Sequence, residues 1–178
     1  MYKIAKFEKV SFEQFKKDYI DCFNEEDEVK IKEIYDLIKL PKRATKGSAG
    51  YDFYSPITFT LKPCEIIKIP TGIRVKIEDG WFLANFPRSS LGFKYRLQLN
   101  NTVGIIDADY YNALNEGHIM SKLTNDSKEN KSIVSLSRPI NPFNSLFILF
   151  FASSISPFII SLSTSSLTNF NVFSTSFR

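Results

Sequence analysis

The sequence predicts a mainly β domain of the sandwich or jelly-roll type, preceded by an N-terminal helical hairpin. Three observations carry that reading. Apolar residues recur at helical spacing within residues 1–39, short alternating runs broken by turn residues fill 40–123, and charge almost vanishes after Lys131. A chain of 178 residues suits one domain with appendages. The parts are a helical appendage at 1–39, a β domain at 40–131 and an atypical tail at 132–178.

The first helix begins at Ser11, whose hydroxyl caps it while Gln14 reaches back as a capping box, with Val10 and Phe15 as a hydrophobic staple. Phe12, Phe15, Tyr19 and Phe23 mark its apolar face. After the acidic run Glu25 to Glu28, which suits a helix N-terminus, Ile31, Ile34, Tyr35 and Ile38 repeat the pattern. From Leu40 the period changes to extended runs: Thr58 to Leu61, Pro63-Cys64-Glu65, Ile66 to Ile69, Ile73 to Ile77 and Trp81 to Phe86. Ile73, Val75 and Ile77 alternate with Arg74 and Lys76, and Glu78-Asp79-Gly80 supplies the following turn.

Residues 132–178 contain no Asp, Glu, Lys or Gly. Three readings fit: a wrong frame or rearranged 3′ end of AT-rich DNA, buried strands, or a membrane tail centred on Phe143 to Leu162. The last is interrupted by Asn144, several serines and Pro157.

The formal charge of +4 does not make a nucleic-acid binder. Residues 1–131 hold 21 Lys and Arg against 19 Asp and Glu, leaving +2 without a basic stripe. Cys22 and Cys64 are too few and too far apart for a disulfide framework or metal site, and are expected as free buried thiols. The start lacks the apolar core of a secretory signal, which points to the cytoplasm.

Three segments carry chemistry. Gly47-Ser48-Ala49-Gly50-Tyr51-Asp52 lets backbone approach a ligand and ends in a carboxylate. Phe86-Pro87-Arg88-Ser89-Ser90-Leu91-Gly92 concentrates a guanidinium, two hydroxyls and consecutive N–H groups, a set suited to phosphate oxygens. Asn101-Thr102-Val103-Gly104-Ile105-Ile106-Asp107-Ala108-Asp109-Tyr110 puts two carboxylates after an apolar strand, where Tyr110 joins them only if the chain bends. Each alone is also compatible with an ordinary turn, a solvated loop or surface charge. His118 is expected to be structural.

In this order and spacing the segments resemble motifs one, two and three of the trimeric dUTPase family, and Pro70-Thr71-Gly72-Ile73 resembles a family hairpin. The resemblance spans about Leu40 to Leu123. It implies a dUTPase-like jelly-roll or β-clip barrel, assembled as a homotrimer with active sites between subunits, hydrolysing dUTP with Mg2+. Carried over, Asp52 lies near the magnesium-triphosphate and acts on the metal indirectly, while Arg88, Ser89 and Ser90 surround the phosphates. Asn101 reads the uracil edge, Ile105 and Ile106 offer backbone groups, Asp107 is the general base, and Tyr110 packs under the deoxyribose. An ionised carboxylate can orient and deprotonate a water attacking the α-phosphorus.

The resemblance implies no nucleic-acid or membrane partner. It fails beyond Leu123. The fourth motif is not found, and because no glycine follows Gly117 the Gly-rich fifth motif has no counterpart. Tyr111 to Asn115 also lengthen the tip where the family has an early Gly. A non-catalytic nucleotide binder and a dCTP deaminase relative are the rival functions. The second would want a catalytic Glu on a strand after the third segment, where only Asn115-Glu116-Gly117 stands.

Overall fold

The computed structural model describes residues 4–128, 133–135 and 145–153. Ser11 is extended, and its hydroxyl accepts the Gln14 N–H to open α1 (Phe12–Phe23). The reciprocal half of the capping box differs from expectation. The Gln14 side chain donates along the helix to Asp18 at 2.8 Å, and the Ser11 N–H donates to Glu116 at 2.8 Å. Glu116 also accepts the Ser11 hydroxyl proton at 2.5 Å, so one charged acceptor from the β body takes both donors. Asp27 caps α2 (Glu28–Leu37) by accepting the Lys30 N–H, as the acidic run implied. Phe15, Tyr19 and Ile31 face the core from the two helices.

A strand that the sequence reading did not anticipate precedes them. β1 (Ala5–Lys9) runs antiparallel to Ile73–Ile77, and Phe7 meets the rings of Tyr51 and Phe53 edge-on at 5.4 and 5.6 Å. The N-terminal segment thus joins the β body through backbone pairing as well as through helix packing.

The remaining elements are β2 (Tyr51–Tyr54), β3 (Phe59–Leu61), β4 (Ile66–Pro70), β5 (Ile73–Ile77), β6 (Trp81–Pro87), α3 (Ser89–Tyr95), β7 (Leu97–Leu99), β8 (Gly104–Asp107), β9 (Met120–Asn125), β10 (Ile133–Ser135) and β11 (Ser145–Ser153). The described strands form antiparallel sheets in the orders β1-β5, β10-β3, β2-β11-β6-β8 and β4-β9-β7. Phe53, Ile69, Val75, Leu83, Leu97 and Leu123 are fully buried in one core with Phe15 and Ile31.

Several turns stand where expected but connect different partners. Gly80 has φ 84°, and the Trp81 N–H donates to the Glu78 carbonyl at 3.2 Å, yet β5 pairs with β1 while β6 pairs with β8 and β11. The turn therefore carries the chain between sheets rather than closing a hairpin. Thr71-Gly72 does the same between β4 and β5. Pro63-Cys64-Glu65 is a turn, not an extended run: Cys64 has φ 66°, and the Glu65 N–H donates to the Lys62 carbonyl at 3.1 Å. That turn leaves the Cys64 thiol exposed, and Cys22 is half-buried, so neither is the buried thiol expected.

Gly72 is the point where the helices dock. With φ 73°, a Cβ here would be strained and would lie 2.2 Å from Ile38 Cδ1, forcing that side chain to move. The Gly72 N–H donates to His118 Nε2 at 2.7 Å, and its carbonyl accepts the Val10 N–H at 3.1 Å. His118 is fully buried and its Nδ1 lies 2.5 Å from Asp18 of α1. It serves as a link between helix and turn, the structural role expected of it.

The charge-free end contributes backbone to two sheets. β10 pairs with β3, and β11 lies between β2 and β6. Strand formation was one of the three readings of this end; residues 136–144 and 154–178 lie outside the described residues. Among the described residues no helix is long and apolar enough to cross a membrane.

Two predictions follow from these contacts. Removing residues 132–178 takes away the strand joining β2 to β6, so the shortened chain should lose the cooperative thermal transition of the full chain; an unchanged transition would contradict the pairing. The second concerns acid. Burial pushes the Glu116 carboxyl up, but Ser11 and Arg74 outweigh it and hold it below its ordinary value; burial likewise raises Asp18, and His118 with Gln14 outweighs it. A carboxyl with a lowered folded value stabilises fully above the ordinary range, and that contribution disappears as pH falls through the lowered value. Thermal midpoints measured from pH 6 downward should therefore fall less steeply for Glu116→Gln and Asp18→Asn than for the unmodified chain. Equal slopes would refute the role of these carboxylates.

Candidate active site

Arg88 leaves β6 in an extended conformation and occupies the N-cap of α3 without a side-chain cap bond. The expected loop is therefore a helix start. The N–H groups of Ser89 and Ser90, in its first turn, have no intrahelical acceptor. Both serines are exposed, so the segment presents two hydroxyls, two N–H groups and a guanidinium together.

Asp52 lies on β2, not in the preceding turn, and is 7% exposed. It pairs through Ile148 with Phe86, two residues before Arg88. The hydroxyl of Tyr54 reports the neighbourhood: burial pushes it up, Asp52 pushes it the same way and Arg88 opposes. Asp52 and Arg88 thus share one end of the sheet.

The third segment forms at the other end. β8 ends at Asp107, Ala108 turns helical, and Asp109–Asn112 form a 3-10 turn. This is the bend that Tyr110 required. Asp107, Asp109, Tyr110 and Asn112 line one recess with Ile105 and Ala113. The Tyr110 hydroxyl donates to the His118 carbonyl at 3.1 Å and accepts from Asn115 Nδ2 at 2.8 Å, which fixes the ring.

A second recess, of about 170 Å³, shares Ile105 and Tyr110 with the first and adds Asn101, Gly104 and Ile106 among its walls. Ile105 is exposed and Ile106 buried. Among the described strands β8 is the last in its sheet, so one row of its backbone groups faces away from β6. Asn85 also lines this recess and was missed by the sequence reading. The available signal was a single polar residue inside the apolar run Trp81 to Phe86.

The two groups do not meet within one chain. Asp107 pairs with Phe82, whereas Arg88 follows Pro87 at the opposite end of β6. Six residue steps separate Phe82 from Arg88, roughly 20 Å at about 3.3 Å per step. An arginine side chain does not bridge that distance.

Among the described residues no group of three His, Cys, Asp or Glu side chains converges on a metal position. Such a donor set fits magnesium held mainly by phosphate oxygens and its own waters, a common arrangement for this reluctantly dehydrated ion. It does not fit an all-protein cage.

The dUTPase family model matches residues 36–136. A deoxyuridine 5′-triphosphate nucleotidohydrolase of Lactococcus lactis is 44% identical over 93 residues, covering 52% of this chain and 62% of that protein. A second, of Finegoldia magna, is 42% identical over 96 residues, covering 53% and 64%. The chain thus spans under two thirds of these relatives. The crystal structure of dUTPase from Streptococcus mutans is similar with a TM-score of 0.56 and 32% identity, covering 67% of this chain and 88% of that one. Fold, segment order and these likenesses agree: the chain belongs to the dUTPase family.

Proposed function

We propose that the chain hydrolyses dUTP to dUMP and diphosphate, at sites built from more than one copy of itself in a homotrimer. The observation that carries this reading is the recess where Asp107, Asp109 and Tyr110 converge beside the open edge of β8. Asp107 is the general base: it accepts a proton from a water whose oxygen attacks the α-phosphorus. The bond from that phosphorus to the bridging oxygen breaks, and diphosphate leaves with the oxygen.

Tyr110, held by Asn115 and the His118 carbonyl, packs against the deoxyribose and leaves no space for a 2′-hydroxyl. The outward backbone groups around Ile105 and Ile106, with Asn101, pair with the uracil edge. A base with the reversed donor pattern leaves those groups unsatisfied.

Since Arg88, Ser89 and Ser90 lie far from Asp107 in one chain, a second copy supplies them to the phosphates. Asp52, beside Arg88, acts on the metal only through water or phosphate. Magnesium, when bound, would offset phosphate charge and polarise the phosphoryl oxygens. The setting implied is cytoplasmic nucleotide metabolism. Among the described residues no glutamate lines either recess, which disfavours deamination.

The test is substitution within the carboxylate pair, using the full chain with dUTP and magnesium. Asp107→Asn retains size and polarity but cannot take the proton, so turnover should fall by about 100-fold or more with little change in dUMP affinity. Asp109→Asn should cost less. Equal rates for Asp107→Asn and the unmodified chain would overturn the mechanism. Binding of dUMP without turnover in the unmodified chain would favour a nucleotide-binding role instead.

A further inference from the structure

Asn85 is the polar exception in its strand. Leu83, two residues back on the same strand face, is fully buried, and at 3% exposure an aliphatic residue at 85 would extend that apolar face. Its Oδ1 is instead buried with no hydrogen-bond partner among the described residues, an unfavourable state for an amide oxygen. The side chain lines the recess formed with Leu99, Asn101, Gly104, Ile106 and Tyr110. Across the ladder its partner is Gly104. A Cβ on Gly104 would sit 3.2 Å from Asn85 Cβ, and 3.8 Å from the Nδ2 atoms of both Asn85 and Asn101. Glycine there keeps the space between the two amides open.

We propose that Asn85 is a specificity-determining residue that reads the imide edge of a uracil ring from the floor of this recess. The inference rests on the proposed dUTPase reading and adds a contact to it. Ring N3–H donates to Oδ1, giving that buried atom its missing partner, and Nδ2 donates to the adjacent ring carbonyl. Apolar walls from Leu99, Ile106 and Ile119 suit the faces and edges of a flat heterocycle. Asn101, exposed at the rim, approaches from the other side.

Calorimetry on the full chain with dUMP, dCMP and UMP tests this. Asn85→Leu should weaken dUMP by about tenfold while keeping the preference for dUMP over UMP, because the sugar contact lies at Tyr110. Asn85→Asp keeps an acceptor for ring N3–H but sets a second oxygen against the adjacent ring carbonyl, so it should also weaken dUMP. Asn85→Leu removes the acceptor that pairs with uracil N3–H and repels the bare N3 of cytosine, so its dUMP-to-dCMP affinity ratio should fall by about tenfold. A merely structural asparagine would not produce that shift between bases.

Folded variants that keep both the dUMP affinity and the ratio would overturn the inference while leaving the dUTPase reading intact. Failure of the unmodified chain to bind dUMP would remove that reading and this inference with it. Should neither variant fold, the side-chain amide resonances of Asn85 in the unmodified chain decide. A downfield shift on adding dUMP supports the contact, and unmoved resonances contradict it.

Discussion

The length of β6 constrains where chemistry can take place. One uninterrupted strand from Trp81 to Pro87 puts the carboxylate recess beside its first residues and the phosphate-suited helix start beyond its last. Antiparallel pairing makes this separation rigid, since Phe82 opposite Asp107 and Asn85 opposite Gly104 fix the register. A one-residue slip would turn Asn85 and Ile106 to the opposite faces of the sheet. A site that needs both ends must therefore be completed by another copy, and closed rotational symmetry repeats such a shared site at every contact.

The same register sets which residues wall the recess beside β8. β8 is an edge strand with buried Ile106 anchoring it and exposed Ile105 at its rim. Natural edges invite a partner strand unless something else takes their backbone groups. Here the tip that follows is held by Tyr110 to His118 and by Asn115. His118 also ties the tip to Gly72 and to Asp18 of α1, while Glu116 takes two donors from Ser11. The N-terminal helices thereby brace the segment that carries Tyr110.

Much of this was legible in the sequence where local chemistry decides structure. Ser11 and Asp27 cap helices because a hydroxyl or carboxylate satisfies the first free N–H groups, whatever lies beyond. The DAD-Y cluster and the PRSS segment stand out by their residue types, and their proposed roles come from the family resemblance. What was not legible depends on distant partners. The turns at Gly72 and Gly80 are encoded locally, but whether a turn closes a hairpin or changes sheets is settled by which strands lie alongside. β1 was hidden because five residues give too short an alternation beside two strong helical patterns. β11 has no polar alternation to mark it, so its uncharged run was equally compatible with other origins. Asn85 was overlooked because a lone polar residue in a strand has meaning only when its facing residue, Gly104, is known.

The central claim, that Asp107 of one copy works with Arg88 of another, is tested most directly by subunit mixing. Asp107→Asn and Arg88→Ala are each made in the full chain, unfolded together, and refolded as a mixture before dUTP hydrolysis is measured. Each variant alone should be inactive, and random assembly should restore activity in about one quarter of the shared sites. A mixture as inactive as its components, with mixed oligomers demonstrably present, would contradict the account.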